Sequence, residues 1–242
     1  PKPTKLFIEL MKDPRNIITT GTTYENRANL AEGFFNYVIS KYEGTRLGRQ
    51  ELNAEILTDM PGALWKRADI EGSRVIQAPD LDMVVVGVDP SATAGGDEAG
   101  IITAGRKGEN YYTLADDSVQ GSPDKWARAA VTAYHKYKAN KIVAEDNNGG
   151  EMVEAVIKQI DPHVPVKRVH ASRGKATRAE PIAAISEQGR DHHVGTFALL
   201  EDELCMWTPG DASPNRLDAK VWAMTELSGG GVIKAVVNPF YV

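Results

Sequence analysis

The sequence predicts an α/β protein built on a mixed five-stranded sheet flanked by helices, preceded by a smaller, mostly helical stretch. Three observations carry that expectation. From Leu81 onward, short β-branched runs alternate with helical repeats of apolar residues. The turns between them are rich in Gly, Asn and Asp, or open on Ser-Pro. With 42% hydrophobic and 25% charged residues among 242, the chain has the composition of a globular protein with a sizeable core.

Taken in order, residues 1–75 and 80–242 read differently. The first part shows a short apolar segment, Ile17–Thr20, read as a strand, then a helix in "LAEGFFNYVISKYEG" with Leu30, Phe34, Tyr37, Val38 and Lys41 at helical spacing. Gly44 is its expected stop, and "GRQELNAEIL" reads as a second helix. This is a thin core for so many residues, so the stretch is read as the end of a domain, with the boundary at Glu71–Asp80. The second part opens with a strand at Met83–Val88. A second strand over Gly100–Gly105 turns through "RKGEN" into a third, "YYTLAD". Ser122 then caps a helix with Pro123 at its first position, burying Trp126, Ala130, Ala133, Tyr134 and Tyr137. "KIVAED" is strand four, "GGEMVEAVIKQI" a helix with Met152, Val153, Val156, Ile157 and Ile160 inward, and "VPVKRVHAS" strand five. "TRAEPIAAISEQG" opens like a capping box on Thr177 and Glu180, and "SPNRLDAKVWAMTEL" is the last helix. The first three strands are expected as an antiparallel meander, with strands four and five parallel to strand one.

Composition narrows the function classes. One cysteine, Cys205, leaves no intrachain disulfide framework and suits a reducing cytoplasm. No apolar run approaches the roughly 20 residues that span a bilayer, and no secretion signal opens the chain. Opening on "PKPTKLF" without a methionine, the sequence is expected to be part of a longer chain. A net charge of −5 argues against a general nucleic-acid coat protein. Yet His163–Arg178 contains five Lys/Arg and no acid, a local patch suited to a polyanion.

The acids carry the chemistry. Strands one and four are expected side by side, about 4.8 Å apart, so Asp89 and Glu145 end at the same sheet edge, where open α/β sheets bind ligands. Asp218 shares a face of the last helix with Val221 and Trp222, and reaches the same edge if that face packs on the sheet. Singly, two have a plain reading: Asp89, as an aspartate after a strand, is commonly a turn residue, and Asp218, as an acid in a helix's first turn, complements the macrodipole; Glu145, closing an apolar strand, is costly to bury unpaired. Together, three clustered carboxylates repel unless a cation lies between them, and hard oxygen donors select Mg²⁺ or Mn²⁺. Asp97, in the glycine-rich loop after Asp89, is an expected auxiliary ligand. Asp146 should face the other way, Asp116 and Asp117 are read as solvated turn acids, and His192–His193 as structural or at most substrate-contacting. A strand followed by Asp and a Gly-rich turn also occurs in sugar kinases and actin-like ATPases. Those need a second such loop and a second domain, and no G-x-x-x-x-G-K-[ST] loop is present.

The strings "GVDPSATAGGDEAGI", "IVAEDNNGGEMV", "ASRGKATRAEPIAAISEQGRDHHVG", "LEDEL…WTP" and "RLDAKVWAMTEL" resemble successive blocks of the nuclease domain of the large terminase subunits of tailed bacteriophages. The resemblance covers nearly the whole chain. It implies a ribonuclease H-like fold over residues 80–242, with the acidic triad on Asp89, Glu145 and Asp218. Residues 1–75 resemble the end of the family's packaging ATPase without its Walker motifs, so no ATP hydrolysis is expected from this stretch alone. The implied activity is two-metal cleavage of concatemeric double-stranded DNA during genome packaging. Asp89 would bridge the ions, and Arg168, Arg173, Lys175 and Arg178 would hold the DNA backbone without reading bases. The implied partners are the portal protein and the small terminase subunit, in an oligomeric ring on the portal, within the cytoplasm of the bacterial host; the isolated fragment is expected to be monomeric. Two other readings stand beside this one: a non-catalytic DNA- or portal-docking module, and a junction-resolving nuclease of the same fold.

Overall fold

The computed structural model describes residues 10–229 apart from 12, 14, 43–47, 49, 50, 55–59, 61, 91–97, 147–149, 171–173 and 213. Its strands are β1 (Met83–Asp89), β2 (Glu98–Lys107), β3 (Asn110–Asp116), β4 (Val119–Gln120), β5 (Lys141–Glu145), β6 (Val166–Val169) and β7 (Asp191–His193). Its helices are α1 (Glu32–Tyr42), α2 (Arg67–Ser73), α3 (Pro123–Lys136), α4 (Gly150–Ile160), α5 (Lys175–Glu187), α6 (Ala198–Met206) and α7 (Asn215–Leu227).

The sheet runs β6-β5-β1-β2-β3-β7, with β4 paired to β2. β1, β2 and β3 are antiparallel neighbours, while β5 lies parallel to β1 and β6 parallel to β5. The five expected strands are therefore present in the expected order. Two short ones are added. β7, parallel to β3, is only "DHH", and its inward residues Asp191 and His193 are polar, so it leaves no apolar alternation to read.

Period-two alternation splits β1 between two layers. Val84, Val86 and Val88 face a core shared with Trp126 and Ala130 of α3 and with Val153 and Ile157 of α4. Val85 faces a second core, filled by α5, α6 and above all α7, where Leu217, Val221, Met224 and Leu227 are buried. Met152, expected inward on α4, is 57% exposed. α3 starts as expected, with Ser122 at the N-cap and Pro123 in the first turn. α5 begins instead at Lys175 behind Gly174, so Thr177 lies inside the helix rather than capping it.

The front part departs further from the sequence reading. Ile17–Thr20 forms no strand, and on α1 it is Phe35 that is buried while Phe34 and Tyr37 are exposed. Gly44 and half of "GRQELNAEIL" lie outside the described residues. The stretch leading into the proposed boundary is tied to the sheet domain. Trp65 and Ile70 belong to the α7-side core, Trp65 Nε1 donates to Ser186 Oγ at 3.0 Å, and Val75 forms a bridge with Val194.

Candidate metal centre

The alternation that sends Val85 toward α7 sends Gly87 and Asp89 the same way, and along β5 it does so for Val143 and Glu145. Both carboxylates thus rise from adjacent parallel strands into the layer occupied by α7. Helix α7 meets them there because the sheet lets it come close. A Cβ built on Gly87 would stand 2.1 Å from the Ala219 carbonyl oxygen, and one on Gly100 would stand 2.0 Å from that of Asn215. Only glycine permits this approach of helix backbone to strand backbone. It lowers Asp218, in the first turn of α7, onto the sheet edge.

The result is a cluster of buried acids. Asp89, Glu145 and Asp218 each offer a carboxylate oxygen, and these atoms lie within 4.8 Å of one another. The three residues are 6%, 2% and 2% exposed. Burial pushes the Asp89 carboxyl up to about 8, with Asp218 and Glu145 adding to the rise and Lys175 opposing it. Three charges cannot share this space in the absence of a cation, so one carboxyl keeps a proton. The donor set, all carboxylate oxygen, fits a hard divalent ion such as Mg²⁺ or Mn²⁺.

Neighbouring groups fix the acids. Lys175 Nζ donates to Asp218 Oδ2 at 2.7 Å, and Trp222 Nε1 donates to Glu145 Oε2 at 2.9 Å. Arg216, two residues before Asp218, gathers Glu98, Asp116 and Glu203, with Nε donating to Asp116 Oδ2 at 2.9 Å; this pins the start of α7 to β2, β3 and α6. On the far side, the fully buried Lys220 Nζ donates to Thr113 Oγ1 at 2.8 Å and to Asp191 Oδ1 at 3.0 Å. It also donates to His193 Nε2 at 2.9 Å. Burial, with Lys220 beside it, holds the His193 imidazole low and neutral, so Nδ1 carries the hydrogen toward Glu201 Oε1. Glu201 in turn accepts from Arg74.

Set against the expected residues, Asp89, Glu145 and Asp218 meet, and Asp146 stands apart, its backbone N–H bonded to Val169. Asp97 and Arg173 lie outside the described residues. Arg168 is 42% exposed near Asp146 and Glu154. Lys175 is on the acidic cluster itself. Arg178, expected on a DNA-facing surface, lies over the Trp222 ring, 4.2 Å from its centroid, because the aromatic face offers it a cation–π partner. Asp116 and Asp117 are not solvated turn acids: Asp116 is paired with Arg216, and Asp117 is half-buried with its carboxyl raised by burial. His192–His193 is structural as expected, stacked on Tyr112 and bonded within the Lys220 network. That network, Arg216 and the Trp222–Glu145 bond went unread in the sequence. Polar residues there are assigned to solvent by default; the one hint was the placing of Arg216 and Lys220 on a helix with so many apolar positions.

The family described as "Terminase RNaseH-like domain" matches residues 86–227. No curated protein matches the sequence. Among solved structures, a mutant nuclease domain of the large terminase subunit gp2 of bacterial virus Sf6, with manganese and β-thujaplicinol, is similar at TM-score 0.52 and 15% identity; the match covers 67% of this chain and 98% of that one. The human cytomegalovirus terminase nuclease domain is similar at TM-score 0.51 and 13% identity, covering 66% of this chain and 93% of that one. A manganese-soaked, inhibitor-bound form of it gives 0.51 and 13%, covering 68% and 95%.

Proposed function

The chain belongs to the terminase RNaseH-like domain family, and from that premise we propose that it is a divalent-metal-dependent endonuclease cutting concatemeric double-stranded DNA during phage genome packaging. The observation that carries this reading is the meeting of Asp89, Glu145 and Asp218, buried, at one sheet edge. Asp89, Glu145 and Asp218 would hold the ions. Two bound Mg²⁺ or Mn²⁺ ions would activate water for in-line attack and stabilise the departing 3′ oxygen.

The chain's own residues do the rest. Burial keeps the carboxylates away from competing water, so their charge acts at full strength on a bound cation. Lys175, paired with Asp218 at the cluster, neutralises part of its charge and would meet a phosphate oxygen of the DNA. Arg168, with Arg173, would hold the DNA backbone farther out, without base readout. Asp97 would serve as an auxiliary ligand. The portal protein and the small terminase subunit are the proposed partners, in a ring on the portal, with the isolated chain a monomer and the host cytoplasm its location. Among the described residues, no helix is long and apolar enough to cross a membrane.

Supercoiled plasmid incubated with Mn²⁺ tests the proposal. Wild-type protein should nick and linearise it, and folded Asp89→Asn should lose cleavage by about a hundredfold or more, as expected when several kcal/mol of charge stabilisation go. Undiminished cutting by that variant would eliminate the triad.

A further inference from the structure

One turn beyond Asp218 on α7 stands Trp222, 6% exposed. Packing explains a tryptophan there, but packing does not choose the acceptor of its N–H. A buried indole N–H needs an acceptor, and here it is Glu145 Oε2 at 2.9 Å, itself one of the three clustered acids. Over the indole lies the Arg178 guanidinium, 4.2 Å from the ring centroid. Its three nitrogens are hidden from solvent and have no hydrogen-bond partner among the described residues. The ring face is thus what holds that cation. Helix α5 in this way sends two cations, one turn apart, to two residues of α7 that are also one turn apart: Lys175 to Asp218, and Arg178 to Trp222.

A carboxylate on a three-bond stem turns freely unless something takes one of its oxygens. We propose that Trp222, clamped by Arg178, is a positioning residue for Glu145. It takes up one oxygen, stops the carboxylate from rotating, and leaves the other oxygen set toward Asp89 and Asp218 for a cation. This rests on the metal-centre reading above, and supplies its outer support.

Calorimetric titration of Mn²⁺ into the whole chain tests it without recourse to cleavage. Trp222→Phe keeps a ring under Arg178 and removes only the N–H donor and some volume. Its Mn²⁺ affinity should fall about tenfold, the usual effect of losing an outer-shell partner. Arg178→Met should weaken binding in the same direction by a smaller factor. In ¹⁵N spectra of the wild type, the indole resonance absent from Trp222→Phe should shift on adding Mg²⁺. Wild-type protein that takes up no Mn²⁺ would overturn the metal centre and this inference with it. If the wild type binds Mn²⁺ and Trp222→Phe binds it as tightly, the positioning role alone is overturned. Should Trp222→Phe fail to fold, Arg178→Met decides, and unchanged affinity there overturns the role.

Discussion

Removing a charged ligand from the candidate centre should make the metal-free protein more stable. In the fold, burial beside Asp218 and Glu145 pushes Asp89 from its ordinary 3.8 up to about 8. Between those values the native chain holds a proton that the unfolded chain has released. Stability therefore falls as pH rises from about 4 to about 8, and the contribution is whole only below the unfolded value. The slope is at most about 1.4 kcal/mol per pH unit for one proton, so by pH 7 the accumulated cost has a ceiling of about 4 kcal/mol. Asn at position 89 has no proton to gain and can still donate to Glu145. Asp89→Asn should then melt higher than wild type at pH 7 in EDTA, by up to about 16 °C at roughly 2–4 °C per kcal/mol, whereas at pH 4 the two should melt alike. Saturating Mn²⁺ should reverse the order, since the wild type gains a ligand that the variant has lost. Scanning calorimetry at several pH values reads both arms. A variant melting at or below the wild type at pH 7 in EDTA, with no narrowing of the gap toward pH 4, would refute the account of Asp89.

Two further outcomes follow from the same geometry. Gly87→Ala puts a methyl group against the Ala219 carbonyl and must lift α7, so it should cost about 3 kcal/mol, the upper end for overpacking, and weaken Mn²⁺ binding with it; denaturant melts and calorimetry check both. Lys175→Gln should weaken DNA binding and flatten its dependence on salt by about one unit of slope, measured by fluorescence anisotropy between 50 and 200 mM salt on the order of those commonly used.

Much of the centre is legible in the sequence. Asp89 and Glu145 close apolar strands, and period two alone puts them on the face of Val85 and Val143. Asp218 shares its helix face with Val221 and Trp222, which had to be inside. What resisted reading was everything that depends on closure in space. Gly87 looks like a weak point in a strand until α7 is laid across it. Lys220, Asp191, His193 and Glu201 are hydrophilic by type, and only their mutual pairing makes them core residues. Lys175 and Arg178 belong by sequence to a basic run, yet the fold turns them onto Asp218 and Trp222. On α1, Phe34, Phe35 and Tyr37 are alike in type, and the neighbour that would choose among them is not written in the helix itself.

The most direct test is a crystal soaked in Mn²⁺ and measured at a wavelength that reveals the metal. Two anomalous peaks about 4 Å apart are expected, both within ligand reach of Asp89, one toward Glu145 and one toward Asp218. Manganese found elsewhere, with none touching Asp89, would contradict this.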